Sequence, residues 1–142
     1  MSFDLEPYVT RLKDQLVGWS NVGGAADLQA IEGGYIKPPG AFIVPMGDMP
    51  SDNPLYGEFV QHVLVKFGVV LVVANLADTS GSSALTDLAR RRDEVRAALQ
   101  AWSPDGSFGD AQRGPGALLQ FTDGLLWWMD EYRTDYYERI EP

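Results

Sequence analysis

The chain has 142 residues, 20 acidic against 11 basic side chains, a formal charge of −9 at pH 7 and no cysteine. A surface of that sign repels phosphate backbones and anionic lipid, so nucleic acid and membrane are poor partners. The missing cysteine removes disulfides, thiolate zinc sites, iron–sulfur clusters and cysteine nucleophiles together. With 45% hydrophobic and 22% charged residues, the composition is that of a single soluble globular domain spanning residues 1–142. MSFDLEPYV lacks the basic start and apolar core of a signal peptide. The longest apolar run, residues 69–74, falls far below the ~20 residues of a membrane span. The expected place of synthesis is the cytoplasm.

Leu5, Tyr8, Val9, Leu12 and Leu16 recur at steps of three and four, which predicts an amphipathic helix over 5–17. Asp4 is placed to cap it, Pro7 suits its first turn and Gly18 its stop. A second, short helix is expected over 25–31, ended by Gly33 and Gly34. KPPG at 37–40 forces extended backbone into a short strand at 41–44, and PMGDMPSDNP at 45–54 reads as a loop. Residues 58–76 carry the strongest strand signal. Their second half is apolar on both sides, as in a central covered strand, and Gly68 marks a bend or bulge.

The loop at 78–83 ends on a serine placed to cap a helix over 84–101. That helix has Leu85, Leu88, Val95, Leu99 and then Trp102 on one stripe, with Arg90, Arg91, Arg92 and Arg96 around it. Residues 103–116 are turn-forming throughout. Asp123-Gly124 between two apolar runs is the signature of a two-residue type I′ hairpin. In that register Phe121 opposes Leu126 and Leu119 opposes Trp128, all on one face; Gln120, Thr122, Leu125 and Trp127 take the other. Trp128, Tyr132 and Tyr136 then lie beneath the helices, while Trp127 and Tyr137 sit on a face that no predicted helix covers. The predicted fold is α+β: a mainly antiparallel sheet with two main amphipathic helices packed on one face.

No chemistry-bearing constellation emerges. The one histidine, His62, sits mid-strand without the nucleophile and acid of a triad or the clustered carboxylates of a metal site; a half-exposed, hydrogen-bonded strand histidine is the simpler reading. Asp130 and Glu131 adjoin tyrosines and tryptophans, as glycosidase acids do, but neighbours on a strand point to opposite faces and cannot act as a pair. Gly23-Gly24, Gly33-Gly34 and the GPG at 114–116 match neither phosphate-binding fingerprint. RRRDEVR at 90–96 is interleaved with Asp87, Asp93 and Glu94 at pairing distance, which describes a salt-bridged helix face. The expectation is no enzyme, no cofactor and no metal.

The order of pieces is more informative. An amphipathic helix and a loop lead to AFIVP at 41–45 and FVQHVLVKFGVVLVVANL at 59–76. A polar loop, RRRDEVRAALQAWSP at 90–104, a turn-rich loop, a hairpin and GLLWWMDEYRTDYY at 124–137 follow. This order resembles the tail terminator (tail completion) proteins of long-tailed bacteriophages, particularly those of Mu-like and related phages. The likeness covers nearly the whole chain, rests on order and spacing, and is weakest over 20–40. It implies a small α+β virion protein, assembled in the host cytoplasm, that forms a ring, typically a hexamer, on the head-proximal end of the tail tube. Such a ring ends tube polymerisation at the length set by the tape measure and offers a joint to the head connector or neck protein. DNA passes through the ring without specific binding, for which an acidic lumen suits. Another head–tail connector, and more remotely a carbohydrate-binding module or small glycosidase, are the alternatives. Leu125, Trp127 and Tyr137, rimmed by charges including Arg133, are the candidate interface with ring neighbours or the tube.

Overall fold

The computed structural model describes residues 3–30, 36–52, 59–74, 82–122 and 124–140. In chain order its elements are α1 (Glu6–Gln15), β1 (Asn21–Gly24), α2 (Ala25–Ala30), β2 (Gly40–Pro50), β3 (Phe59–Ala74), α3 (Ser82–Leu99), β4 (Gln112–Thr122) and β5 (Leu125–Ile140). The five strands form one sheet in the order β1-β2-β3-β5-β4. All neighbours are antiparallel except β1 and β2. This is the α+β architecture read from the sequence. Its spine is the β3–β5 ladder, in register from Phe59 opposite Ile140 to Ala74 opposite Leu125.

Alternation along these strands builds a main core under the helices, with a smaller cluster of Val63, Val65 and Tyr136 on that same face, and a second core on the other. On one face Phe67, Val69, Leu71, Val73, Leu126 and Tyr132 meet Tyr8, Val9, Leu12 and Leu16 of the α1 region and Leu88, Val95, Ala98 and Leu99 of α3. Both main helices therefore cover the same face, and Trp128 packs beneath them as the alternation requires. The proline stands in the first turn of α1 as expected, but Asp4 is not its cap: the N-cap position is Leu5, without a side-chain cap, and Asp4 Oδ1 accepts instead from the Glu6 amide at 3.0 Å. Leu85, expected on the buried stripe of α3, is exposed; Ala84 and Ala98 take inward positions instead.

The opposite face is not bare. Val70, Val72, Phe42 and Leu125 form a second core with Ile36, against which Leu28 of α2 and Trp127 pack. The expectation that no helix covers Trp127 is corrected by this: Leu28 of the short α2 and Ile36 pack onto that end of the sheet. A helix of six residues, under two turns, leaves too weak a periodicity to reveal which face it buries.

Three further boundaries differ. β2 runs on to Pro50 rather than stopping at residue 44, because a register shift between Pro45 and Gly47 keeps it paired with β3. β1 reaches only as far as Ile43, so the prolines lie where no second ladder asks for their missing N–H. β4 begins at Gln112, inside the predicted turn region, with its pairing interrupted between Arg113 and Gly116. In the hairpin Phe121 does oppose Leu126, but a second irregularity between Leu118 and Gln120 puts Leu118, not Leu119, opposite Trp128. Gly124 has φ +76°, as a type I′ turn needs at its second position. The predicted roles of Gly33, Gly34 and Asp123, and residues 78–81 of the predicted loop at 78–83, lie outside the described residues; α3 opens at Ser82 and ends at Leu99, so Ser83 lies inside the helix rather than capping it.

Candidate functional site

β4 is the last strand of the sheet, and α3 reaches it only through side chains near Arg113 and Gly116. Its residues 115–121 are exposed on both sides, with Leu118 53%, Leu119 49% and Phe121 49% accessible. Along ALLQFT, residues 117–122, there is no charge and no proline. Natural edge strands carry lysine, proline, bulges or a covering element, because a bare apolar edge pairs with any other chain. Among the described residues this stretch has only the irregularity at Leu119. The sequence placed Phe121 on the helix side, correctly by register, but alternation cannot tell how far along a sheet the helices reach. The lack of any charge in ALLQFT was the available signal.

Beside that edge, Trp127 lines an open groove of about 350 Å³ with Leu28, Ile36, Val44, Val70 and Leu119. Its buried indole N–H meets no acceptor among the described residues. Leu125 is buried in the second core. Tyr137 is 58% exposed, with its ring 5.1 Å from that of His62. His62 Nε2 in turn lies 2.7 Å from Asp135 Oδ2, the hydrogen-bonded strand histidine expected. Arg133 is exposed and donates to Glu131 Oε2 at 2.7 Å. The four candidate interface residues share one face but not one patch. Ten positions of extended strand, about 33 Å, separate Trp127 from Tyr137.

The helix side of β5 carries an ionic arrangement that sequence reasoning missed. Asp130 is 1% exposed. Arg92 of α3 binds it with both arms, Nε to Oδ2 at 3.0 Å and Nη2 to Oδ1 at 2.9 Å. Trp128 Nε1 adds a third bond at 3.0 Å, and Arg113 of β4 stands 3.7 Å away. The same guanidinium lies 4.7 Å over the Trp128 ring. Its bonds to the carboxylate hold Arg92 in its charged form and raise its pKa. Gly116 leaves the room: a Cβ there would stand 2.9 Å from Trp128 Nε1 and 3.1 Å from Arg92 Nη2. The rest of the arginine run behaves as read, with Arg90 on Asp87, Arg91 on Asp87 and Glu94, and Arg96 on Asp93. Asp130 and Glu131 face opposite sides and have separate arginine partners, so they do not form an acid pair.

Among the described residues no three or more His, Asp or Glu side chains converge as a metal site would require, and no helix is long and apolar enough to cross a membrane. What the surface does offer is an unguarded strand edge and apolar ground beside it, the features of a protein that works by assembling with others. The comparison with known families agrees. Residues 1–142 match the family described as phage tail terminator protein, and the chain belongs to that family. It is thereby a structural component of a phage tail. No curated protein matches the chain.

Proposed function

We propose that the chain caps the head-proximal end of the phage tail tube as a ring of six copies, stops tube polymerisation there and provides the joint to the head connector or neck protein. The observation that carries this is the bare ALLQFT edge: a stretch that would aggregate if left exposed has to be covered in the working assembly. The exposed Tyr137 and Arg133, and the groove at Trp127 with Leu125 beneath it, supply contact ground for the next copy or the tube protein, and the tape measure ends beneath the ring. The role asks for no turnover and no cofactor. An excess of nine negative charges suits a lumen through which DNA passes without sticking.

A phage carrying a stop codon early in this gene tests the reading. Overlong tubes and filled heads without tails are expected, with normal tails restored when the intact chain is supplied in trans. Tails of normal length joined to heads in the mutant would refute it.

A further inference from the structure

The exposed end of β4 is complementary to itself. Its register with β5 sorts the side chains by face. Leu118 stands opposite Trp128 and Phe121 opposite Leu126, both on the helix side, while Gln120 stands opposite Trp127 on the groove side. Leu119 lines the same groove as Gln120. In a regular strand, residues three apart point to opposite faces. The irregularity between Leu118 and Gln120 changes that, because Leu119 and Gln120 together take the one position opposite Trp127. Leu118 and Phe121 therefore point the same way, and so do the two residues between them.

Two such strands fit side by side about a two-fold axis that stands perpendicular to the sheet, between Leu119 and Gln120. They run antiparallel, the more stable kind of ladder. Leu118 then faces Phe121 of the second copy, and Leu119 faces its Gln120. Each of these pairs lies on one side of the joined sheet, as a ladder requires. The exposed Leu118 and Phe121 cover each other twice over on the helix side. On the opposite side, Leu119 of the second copy comes to the rim of the groove at Trp127. Residues 117–122 hold no charge that would meet its like across the axis. The ladder ends where Pro115, with no amide to donate, falls beside the second copy's turn at Gly124.

We infer that β4 of one copy pairs with β4 of a second copy about this two-fold axis, Leu118 against Phe121, and that the chain free of tubes is such a dimer. The contact uses the same patch on both partners, so it closes at two copies and leaves no ALLQFT edge open. Main-chain hydrogen bonds supply affinity and the facing side chains supply register, as in other strand-addition interfaces. The pairing stands apart from the ring reading, because neighbours in a ring of six are related by a sixth of a turn and not by half of one. On that reading the edge exchanges its twin for a ring neighbour or the tube when the chain assembles, and the dimer keeps it covered until then.

The absence of native cysteine makes the test direct. Leu118→Cys and Phe121→Cys are made as separate variants, one carrying a tag that changes its mass, and are oxidised alone and mixed. Facing Cα atoms of an antiparallel pair lie about 4.5–5.5 Å apart, within disulfide reach. Like residues lie diagonally, about 7–8 Å apart. The mixture should therefore give the mixed dimer far more readily than either variant gives a dimer with itself. Like dimers formed as readily as the mixed one, or no cross-link in the mixture, would overturn the inference. Sedimentation of the parent chain without tubes checks the same pairing without cysteines. A monomer–dimer equilibrium is expected, shifted to monomer in Leu118→Lys and in Phe121→Lys with melting unchanged. A parent that sediments as a monomer at every concentration, or as a hexamer, would overturn the inference, as would dimers retained in both lysine variants. The ring reading is judged separately, by whether rings form on tubes assembled from the tube protein of the same phage.

Discussion

Removing the Arg92 side chain asks how much the buried carboxylate on β5 depends on α3. Asp130 is almost fully enclosed, and Arg92→Ala takes away two of its three hydrogen bonds at 3.0 Å or less, leaving Trp128 Nε1 and the more distant Arg113. Breaking a buried ion pair from one side costs about 3–5 kcal/mol, since the remaining charge loses its partner inside the protein. Arg113, at 3.7 Å, offsets part of that, so the expected loss is about 3 kcal/mol. With a urea m-value of ~1.5 kcal/mol/M the unfolding midpoint falls by ~2 M at unchanged slope. Urea titration followed by tryptophan fluorescence reads this out. The double variant Arg92→Leu with Asp130→Leu should recover most of the loss, because it leaves no unpaired charge. A drop below about 1 kcal/mol for Arg92→Ala would place the pair among solvated surface contacts and refute the reasoning.

Trp127→Ala should cost the isolated monomer about 2–4 kcal/mol, because the ring packs on the second core and shares its groove with Leu28; thermal melting equal to the parent's would show that α2 does not hold that face. Burial raises the Tyr132 pKa well above the usual phenol range, and the charge of Asp130 adds to it. The folded chain thus keeps a proton that the unfolded chain releases near pH 10, so this stability is complete below pH ~10 and declines above it by up to about 1.4 kcal/mol per pH unit. Tyr132→Phe should flatten that alkaline decline without loss at pH 7, since the hydroxyl has no partner among the described residues; an equally steep decline in chemical-denaturation stability would contradict it. Ala101 sits at φ +61° just past the end of α3, a conformation natural to glycine. Ala101→Gly should therefore raise stability by about 0.5–1 kcal/mol in the same titration, and a loss would count against the strain.

The sheet and both main helices were legible because their signals are long. Sixteen β-forming residues in β3, apolar on both faces in their second half, and the stripe from Tyr8 to Leu16 admit one assignment each, and Asp123-Gly124 pins the hairpin register at Phe121 and Leu126. Irregular geometry was not legible. The irregularities at 45–47, 113–116 and 118–120 carry no periodic mark, and each displaced an expected pairing or boundary. Arg92 looked like its neighbours Arg90, Arg91 and Arg96; only the placement of α3 over β5 singles it out for Asp130. The candidate contact surface was half visible. Alternation put Leu125, Trp127, Arg133 and Tyr137 on one face, but it could not show α2 covering the near end or β4 leaving Leu118 and Phe121 exposed at the sheet edge.

The central claim is that this chain ends tube growth by closing a ring on one tip. Purified tube protein is allowed to polymerise, the chain is added, fresh tube protein follows, and the tips are imaged by electron cryomicroscopy. A single ring of copies at one end of each tube, with no further growth from that end, is the predicted result. Tubes that keep lengthening at both ends, or copies of the chain scattered along the tube walls, would contradict it.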